Sequence, residues 1–263
     1  MKNDGTVVSW GKEDYNSLKG YTKSNHIITT SLLEENKNVI KLFSNYFYNV
    51  ALTKDRKVFA WGHIHTKNNI PQMILKNNLN SISSVEVTNN LSNPIITPLE
   101  NIHKVIMNEY ATALITFDKK LITFGFSGYG GDYTNVKYGI YGSENSITGK
   151  TVQTTVLENV KKVISINNTS KNCGFVALTY DNKCYVWGLA KLGNLSDIGE
   201  NVLDIEEIHG GFIAKYSDQI KVFSKETTRR NNISTISTDI SNNIIKIVSN
   251  SKAIAFLRND GQL

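Results

Sequence analysis

The sequence predicts an all-β fold of the β-propeller class, and two observations carry that prediction. Five short apolar strands each begin at an aspartate turn, and three of them end in Trp-Gly. Turns of this kind recur along the chain at intervals of 37 to 63 residues, whereas propeller blades typically repeat every ~40–50 residues with several short strands in each. The strands read DGTVVSWG from Asp4, DRKVFAWG from Asp55, DKKLITFG from Asp118, DNKCYVWG from Asp181 and DQIKVFS from Asp218.

Each aspartate turn is expected to close a β-hairpin. Aspartate hydrogen-bonds its own neighbouring backbone and tolerates left-handed geometry. The Asp-Gly pairs Asp4-Gly5 and Asp260-Gly261 are a strong signal for a short hairpin. The irregular spacing of the turns then falls in the connections between hairpins, where longer loops cost little entropy.

The strands that leave the turns are apolar on both faces. In the segment KVFAWG, alternation places Val58 and Ala60 on one face and Phe59 and Trp61 on the other. Because such a strand must be covered on both faces, each hairpin is expected to lie between two neighbouring sheets. One unit cannot bury itself alone, but a ring or stack of units can.

These repeats resemble the repeats of the regulator of chromosome condensation family. The similarity lies in the hairpin aspartate, the strand that ends in Trp-Gly and a glycine a few residues later. The tail after Trp-Gly diverges: WGLAKLGNLS keeps Gly193 and Leu195, but Ala190 stands where the family has asparagine. The resemblance extends over nearly the whole chain. It implies a β-propeller fold, and the namesake of the family implies guanine-nucleotide exchange on a small Ran-like GTPase.

We expect residues 1–263 to form a single propeller domain, since closed all-β folds often reach this length as one unit. The chain begins and stops at a repeat turn. Pairing of Val7–Trp10 with Ala253–Leu257 would therefore close a ring of five blades. The alternative is that the chain is a fragment of a larger propeller. The asparagine-rich region Lys67–Pro98 is expected to be a long excursion between strands.

The charge pattern favours a solvated surface, and the alternative is a general electrostatic attraction to acidic partners. The net charge is +6, but the lysines are spread over turns and strand starts and form no single block. No interleaved aromatic and basic motif indicates base recognition, so nucleic acid is not the expected partner. The sequence shows no signal peptide and no apolar run of the ~18–20 residues that a membrane span needs. We expect a cytoplasmic protein or a secreted bacterial effector that acts in a host cell.

The two cysteines are expected to be free, buried thiols in a reducing compartment. If Asp181-Asn182 forms a two-residue turn, Cys184 faces residue 179, and Cys173 lies several positions away. A disulfide between them is therefore not expected. Two cysteines without CxxC spacing do not predict a zinc site either.

No motif predicts bond-breaking catalysis, a cofactor or a metal. His63 and His65 are interpreted as exposed loop residues, because no third ligand is positioned beside them. The glycines of Gly128–Gly131 are interpreted as a tight turn or exposed loop, since no helix periodicity follows. His209–Gly211 is interpreted as a blade kink or bulge.

The sequence therefore predicts a protein–protein interaction module whose rim loops bind a partner. Rigid exposed aromatic residues contribute much of the binding energy at interfaces. Exchange on a small GTPase is the alternative, although the exchange residues of the family cannot be placed on this chain by matching motif. The candidate partner-binding residues are Tyr129, Tyr133, Tyr138, Tyr141, Arg229 and Arg230.

Overall fold

The computed structural model describes residues 8–9, 28–29, 38–46, 48–62, 99–131, 137–138, 157–167, 173–188, 198, 200–224, 235–236, 244–250 and 253–261. Regular structure within these residues consists of short β-strands and one turn of 3-10 helix. None of the described residues forms a helix that is long and apolar enough to cross a membrane.

The strands are arranged in successive antiparallel sheets, which confirms the all-β fold built from propeller-type blades. Blade 1 contains β3 (Val39–Ser44), β4 (Tyr48–Thr53) and β5 (Val58–Gly62). Blade 2 contains β6 (Ile102–Met107), β7 (Ala111–Thr116) and β8 (Leu121–Gly125). Blade 3 contains β10 (Val160–Ile166), β11 (Gly174–Thr179) and β12 (Cys184–Gly188), with β9 (Lys137–Tyr138) on the outer edge. Blade 4 contains β13 (Asp204–Ile208), β14 (Gly211–Lys215), β15 (Ile220–Ser224) and β16 (Thr235–Ile236), and blade 5 contains β17 (Ile244–Ser249) and β18 (Ile254–Arg258).

The central strand of each blade is covered on both faces, as the apolar pattern predicts. All six residues of β7 are buried. Ala113 and Ile115 pack toward blade 3, whereas Leu114 packs toward blade 1. The expectation for Val58 and Ala60 is also confirmed, because both lie in the core between blades 1 and 2. The side chains of Phe59 and Trp61 lie outside the described part of the chain.

Within the described residues, four apolar layers join the blades face to face. Each layer contains side chains from two neighbouring blades, so the described core is a continuous series of sheet-to-sheet contacts. The layers are represented by Val50 and Phe124 between blades 1 and 2, Ala113 and Phe175 between blades 2 and 3, Leu178 and Phe212 between blades 3 and 4, and Ile213 and Phe256 between blades 4 and 5.

The aspartate turns of blades 1 to 3 lie on one side of the molecule, which we call the Asp-turn rim. The two-residue turn predicted at Asp181-Asn182 is wrong, because Cys184 pairs with Leu178 and the loop contains three residues. Three-residue hairpin loops place their last residue in the left-handed region. That position has positive φ in each turn and is occupied by Arg56 (65°), Lys119 (65°) and Asn182 (62°).

A threonine, an aspartate and a lysine hold each of these three turns. In blade 3, the Lys183 N–H donates to Thr179 Oγ1 at 3.1 Å, and the Lys183 ammonium lies 2.9 Å from the Asp181 carboxylate. Hydrogen bonding from Thr179, followed by Lys183, lowers the pKa of the Asp181 carboxyl below its ordinary value. The pKa values of Asp55 and Asp118 are also lowered, and the largest cause is again a hydrogen bond from the threonine of the turn.

These lowered pKa values predict a pH-dependent contribution to stability. Because the folded-state pKa lies below the ordinary value of 3.8, the contribution is complete above that value and is lost as the pH falls through the folded-state pKa. A variant with Asp55→Asn, Asp118→Asn and Asp181→Asn should therefore melt at a lower temperature than the wild type at neutral pH. Thermal melts across acidic pH should show the difference closing. A difference that stays constant down to acid unfolding would contradict this assignment.

A repeated backbone hydrogen bond links each blade to the next along the Asp-turn rim. The carbonyl of each left-handed turn residue accepts a hydrogen bond from the strand or segment that enters the next blade. These bonds run from Ile102 N to Arg56 O (3.0 Å), from Val160 N to Lys119 O (2.9 Å) and from Val202 N to Asn182 O (3.0 Å). Each donor follows an asparagine with positive φ, namely Asn101, Asn159 and Asn201. The recurring Glu-Asn-Ile or Glu-Asn-Val signature at these positions was missed in the sequence interpretation.

The N-terminal strand has a different described neighbour from the one expected. Here β1 (Val8–Ser9) pairs with β2 (Ile28–Thr29), and β18 pairs with β17. Among the strands that the structure describes, β1 is not paired with β18. The number of blades, the closure of a ring and the extent of one domain over residues 1–263 stay predictions.

Both cysteines are buried thiols that form no disulfide, as expected. Cys184 lies in the apolar layer between blades 3 and 4. Burial raises the pKa of its thiol to about 12. Cys184 is therefore protonated at neutral pH and acts as a small apolar core residue.

The two glycine-containing segments singled out in the sequence are both tight turns. The kink or bulge expected at His209–Gly211 is wrong: His209 and Gly210 form a two-residue hairpin turn, because Ile208 pairs directly with Gly211. Gly210 has a positive φ, 68°, at the second position of this turn, a geometry that favours glycine. Ser127–Tyr129 forms the 3-10 turn, and the two glycines that follow it are buried.

Candidate partner-binding surfaces

Asparagine turns connect the first two strands of several blades on the side opposite the Asp-turn rim. We call this side the Asn-turn rim. In blade 1, Asn45 Oδ1 accepts the Tyr48 N–H at 2.9 Å. Asn108 Oδ1 accepts the Ala111 N–H at 2.7 Å in blade 2, and Asn250 Oδ1 accepts the Ala253 N–H at 2.9 Å in blade 5. An asparagine oxygen that bonds nearby backbone fixes a turn locally.

Asn108 is the buried member of this set and also holds a neighbouring loop. Its side-chain oxygen accepts a second bond from the Tyr110 N–H at 2.9 Å. Its Nδ2 donates to the Tyr129 carbonyl at 2.8 Å. One amide therefore ties the turn between β6 and β7 to the 3-10 turn that follows β8.

Three aromatic side chains form what we call the rim cluster: Tyr110, Phe126 and Tyr129. The rings of Tyr110 and Tyr129 stack with centroids 4.1 Å apart and planes 19° apart. Phe126 meets Tyr110 edge-on at 5.9 Å and Tyr129 edge-on at 6.2 Å. Stacked and edge-to-face pairs are favoured aromatic geometries. All three side chains are half-buried, so the cluster is both packed and accessible.

The cluster sits on a tightly packed backbone support. Trp187 Nε1 donates to the Gly130 carbonyl at 3.0 Å, directly after the turn that carries Tyr129. A Cβ at Gly130 would lie 2.6 Å from a ring carbon of Phe175, so only glycine fits there. The tryptophan of the Trp-Gly signature in blade 3 thus positions the loop of the preceding blade.

Tyr46 lies beside the rim cluster and extends the aromatic surface toward blade 1. Its backbone N–H donates to the Glu109 carbonyl at 3.3 Å, next to Tyr110 in the chain. The Tyr46 residue is 75% exposed. Partial burial raises the pKa of Tyr110, and the Glu109 carboxylate adds to the effect. The Tyr110 hydroxyl is therefore neutral at physiological pH and can donate a hydrogen bond.

The structure describes two of the six predicted binding residues. Tyr129 lies in the rim cluster, and Tyr138 lies in β9, where its backbone pairs with Tyr185. Tyr133, Tyr141 and the pair Arg229-Arg230 lie outside the described residues, as do His63 and His65. The binding role of all six residues stays a prediction.

The sequence interpretation missed Tyr46, Tyr110 and Phe126. Two of them occupy the residue after Asn45 and the second residue after Asn108, so recognition of the asparagine turns would have placed them on one rim. Phe126 directly follows the glycine that ends β8. The signal is therefore an aromatic residue beside a repeated turn, and not an aromatic residue within a long excursion.

No group of three or more His, Cys, Asp or Glu side chains that could hold a metal ion occurs within the described part of the chain. On the Asn-turn rim, the side-chain oxygens of Asn45, Asn108 and Asn250 accept hydrogen bonds from the backbone. What this rim offers chemically is a firm aromatic surface with hydroxyl groups, which suits contact with another protein.

The blades and rims define a repeat protein of the β-propeller class. Part of the chain is similar in sequence to a protein with repeats of the regulator of chromosome condensation (RCC1) type. Over 66 residues the chain is 35% identical to an RCC1 repeat-containing protein of Dictyostelium discoideum. The match covers 24% of this chain and 13% of that protein. No protein-family model matches the chain.

Two solved structures extend the comparison. The chain is similar to human WBSCR16, with 15% identity and a TM-score of 0.47, over 98% of this chain and 68% of that one. It is similar to yeast RCC1 (Prp20), solved bound to Kap60, with 16% identity and a TM-score of 0.49. That similarity covers 99% of this chain and 65% of the yeast chain. A structural similarity of this extent does not assign the activity or the binding partner of either protein to this chain.

Proposed function

We propose that this chain is a protein-binding propeller scaffold that holds a protein partner on its Asn-turn rim. The observation that carries the proposal is the rim cluster, in which the half-exposed rings of Tyr110 and Tyr129 stack at 4.1 Å. Aromatic anchors in packed surroundings supply a large share of the energy of protein interfaces. Tyr46 provides a more exposed ring beside them.

The anchoring of the cluster favours binding energetically. Ordering a flexible side chain at an interface costs about 0.5–1.5 kcal/mol. Asn108 and Trp187 already fix the loop that carries Tyr129, through hydrogen bonds of 2.8 and 3.0 Å. The partner therefore meets a surface that is ordered before it arrives. Tyr129 would supply ring surface, and the tyrosine hydroxyls would supply hydrogen bonds at the edge.

A substitution at Tyr46 tests the proposed surface without disturbing the core. Tyr46→Ser should weaken binding of the partner by about 30-fold, because an interface anchor contributes about 2 kcal/mol or more. The partner would first be identified by placing the photo-cross-linking residue p-benzoylphenylalanine at position 46 and irradiating a cell extract. Its affinity for wild type and variant would then be measured by calorimetry.

The matched control is Ile245→Ser, which removes an apolar side chain that is 66% exposed in blade 5. This control should bind the cross-linked partner as the wild type does. Equal affinities for wild type and Tyr46→Ser would contradict the proposed surface. Failure to obtain any product that depends on the cross-linker at position 46 would contradict it as well.

Guanine-nucleotide exchange on a small Ran-like GTPase is the second candidate, because the repeat resemblance implies it. Exchange factors act by stabilising the nucleotide-free GTPase, which accelerates release of GDP. Under the scaffold proposal, release of labelled GDP from a panel of small GTPases should remain at its intrinsic rate. A clear acceleration for one GTPase would favour exchange. We propose action in the cytoplasm, either of the producing cell or of a host cell that receives the protein.

A further inference from the structure

The Asp-turn rim carries a second surface, in which cations lie over half-exposed aromatic rings. The guanidinium of Arg56 lies 5.5 Å from the centre of the Phe117 ring. The ammonium of Lys119 lies 4.2 Å from the centre of the Tyr180 ring. Phe117 is 50% exposed and Tyr180 is 55% exposed. Both distances lie within the ~6 Å range of cation–π attraction.

Backbone geometry repeats this arrangement from blade to blade. Each cation occupies the left-handed position of one turn, and each ring precedes the aspartate of the next turn along. The hydrogen bonds that Arg56 O and Lys119 O accept from the following blades fix both turns. The pairs therefore form one ordered series along the rim, which we call the cation–aromatic ladder.

The cations of the ladder are not neutralised by carboxylates in the described structure. In each turn the lysine two residues after the aspartate is the one that is paired, at 3.4 Å in blade 1, 3.3 Å in blade 2 and 2.9 Å in blade 3. Among the described residues, Lys54, Arg56 and Lys119 take part in no ion pair. Blades 1 and 2 therefore present surplus positive charge directly beside exposed rings.

We propose that the ladder binds an extended acidic segment of a protein partner, in which carboxylates alternate with apolar side chains. The carboxylates of the segment would pair with Arg56 and Lys119. The guanidinium of Arg56 can donate two parallel hydrogen bonds to one carboxylate. The apolar side chains would cover the exposed parts of Phe117 and Tyr180. This surface lies on the rim opposite the rim cluster, so it goes beyond the function proposed above.

The distribution of charge favours a peptide over a nucleic acid. Asp55, Asp118 and Asp181 lie in the same turns as the ladder, between its cations. A nucleic acid carries a charge on every phosphate and would meet those carboxylates along its length. A peptide can place its carboxylates at the cations alone, and neutral side chains elsewhere.

The ladder can be removed with substitutions that the fold already accepts. Asn182 occupies the same left-handed position in blade 3, at φ 62°. Arg56→Asn and Lys119→Asn should therefore keep both turns while removing both cations. The probe is a fluorescein-labelled synthetic peptide of alternating glutamate and phenylalanine, and its binding is followed by fluorescence anisotropy. We expect the double variant to bind about tenfold more weakly, because two hydrogen bonds between charged groups are lost.

Three controls make the outcome specific. Lys246→Gln removes one exposed charge from blade 5 and should leave peptide affinity unchanged. Tyr46→Ser should also leave it unchanged, which separates this surface from the one on the Asn-turn rim. Phe117→Leu keeps an apolar side chain and should weaken binding less than the double variant does.

Several results would overturn the proposal. These are absence of binding by the wild type, equal binding by the double variant, and equal binding of a peptide with glutamine in place of glutamate. Tighter binding of a labelled oligothymidylate, lost in the double variant, would assign the ladder to single-stranded nucleic acid instead. If the ladder binds an acidic segment, the wild type should bind the peptide that contains glutamate, and its affinity should fall as the salt concentration rises.

Discussion

Gly125→Ala is expected to destabilise the protein by about 3–5 kcal/mol, from backbone strain and overpacking together. Gly125 ends β8 at φ 112°, a region that residues with a side chain rarely adopt. A Cβ at this position would lie 2.6 Å from the Tyr110 carbonyl oxygen and 2.7 Å from Ala111 Cα. Both atoms belong to backbone, so neither can turn aside as a flexible side chain would.

The third close neighbour is also fixed in place. Tyr48 Oη would lie 2.8 Å from the new Cβ. This side chain is buried, and its hydroxyl is 2.8 Å from Thr112 Oγ1. Burial raises the pKa of the Tyr48 hydroxyl far above its ordinary value, so the group stays neutral and hydrogen-bonded. Relieving the overlap would break that bond or shift β7.

Urea unfolding measures the effect, and the chain contains a matched control. Gly261 also has positive φ, 81°, but a Cβ there would meet nothing within 4 Å. Gly261→Ala should therefore cost only the conformational strain, about 1 kcal/mol. Equal losses for the two variants would show that the packing around Gly125 adds nothing. A larger loss at Gly125 identifies the glycine that ends β8, after Phe124, as a packing requirement of the blade.

The blade layers could be predicted from the sequence because strand alternation acts locally. Residues two apart in a strand share a face. A strand that is apolar at successive positions, such as Ala111–Thr116, therefore predicts that both of its faces are covered. That reasoning needs no knowledge of which blade lies on which side. It therefore placed Val58 and Ala60 in a core correctly.

Turn length could not be obtained in the same way. Asp181-Asn182 is compatible with a two-residue turn in isolation. The three-residue loop prevails because Thr179 and Lys183 bond across it and because Asn182 accepts left-handed geometry. The carbonyl of Asn182 then bonds to Val202 in the next blade. Contacts between blades thus decide a local choice that sequence spacing leaves open.

The two candidate surfaces depend on contacts that are remote in sequence. Tyr129 could be selected as an exposed aromatic residue, but its stacking on Tyr110 depends on two separate turns meeting at one rim. The same holds for Arg56 and Phe117, which lie in different blades. The sequence interpretation found no interleaved cations and aromatics because the interleaving is created by the stacking of blades.

Asn108→Ala is expected to destabilise the protein by about 3 kcal/mol, because buried polar groups left without a partner cost about 1–3 kcal/mol each. Asn108 is 2% exposed. Removal of its side chain would leave the N–H groups of Tyr110 and Ala111 and the carbonyl of Tyr129 without this hydrogen-bond partner. The stacked pair Tyr110 and Tyr129 would then lose the side chain that ties their two turns together.

The matched control for this substitution is Asn250→Ala in blade 5. Asn250 accepts the Ala253 N–H at 2.9 Å in the same kind of turn, but the site is exposed and water can replace the lost oxygen. Its loss should cost about 0.5–1 kcal/mol. Urea unfolding gives both values, and near-ultraviolet circular dichroism reports the order of the tyrosine stack. Equal losses, with an unchanged aromatic signal, would contradict the role assigned to Asn108. A larger loss with a weakened signal would mean that the residue that stabilises blade 2 also holds the rim cluster in its binding geometry, so the binding surface is ordered by the same bonds that fold the turn.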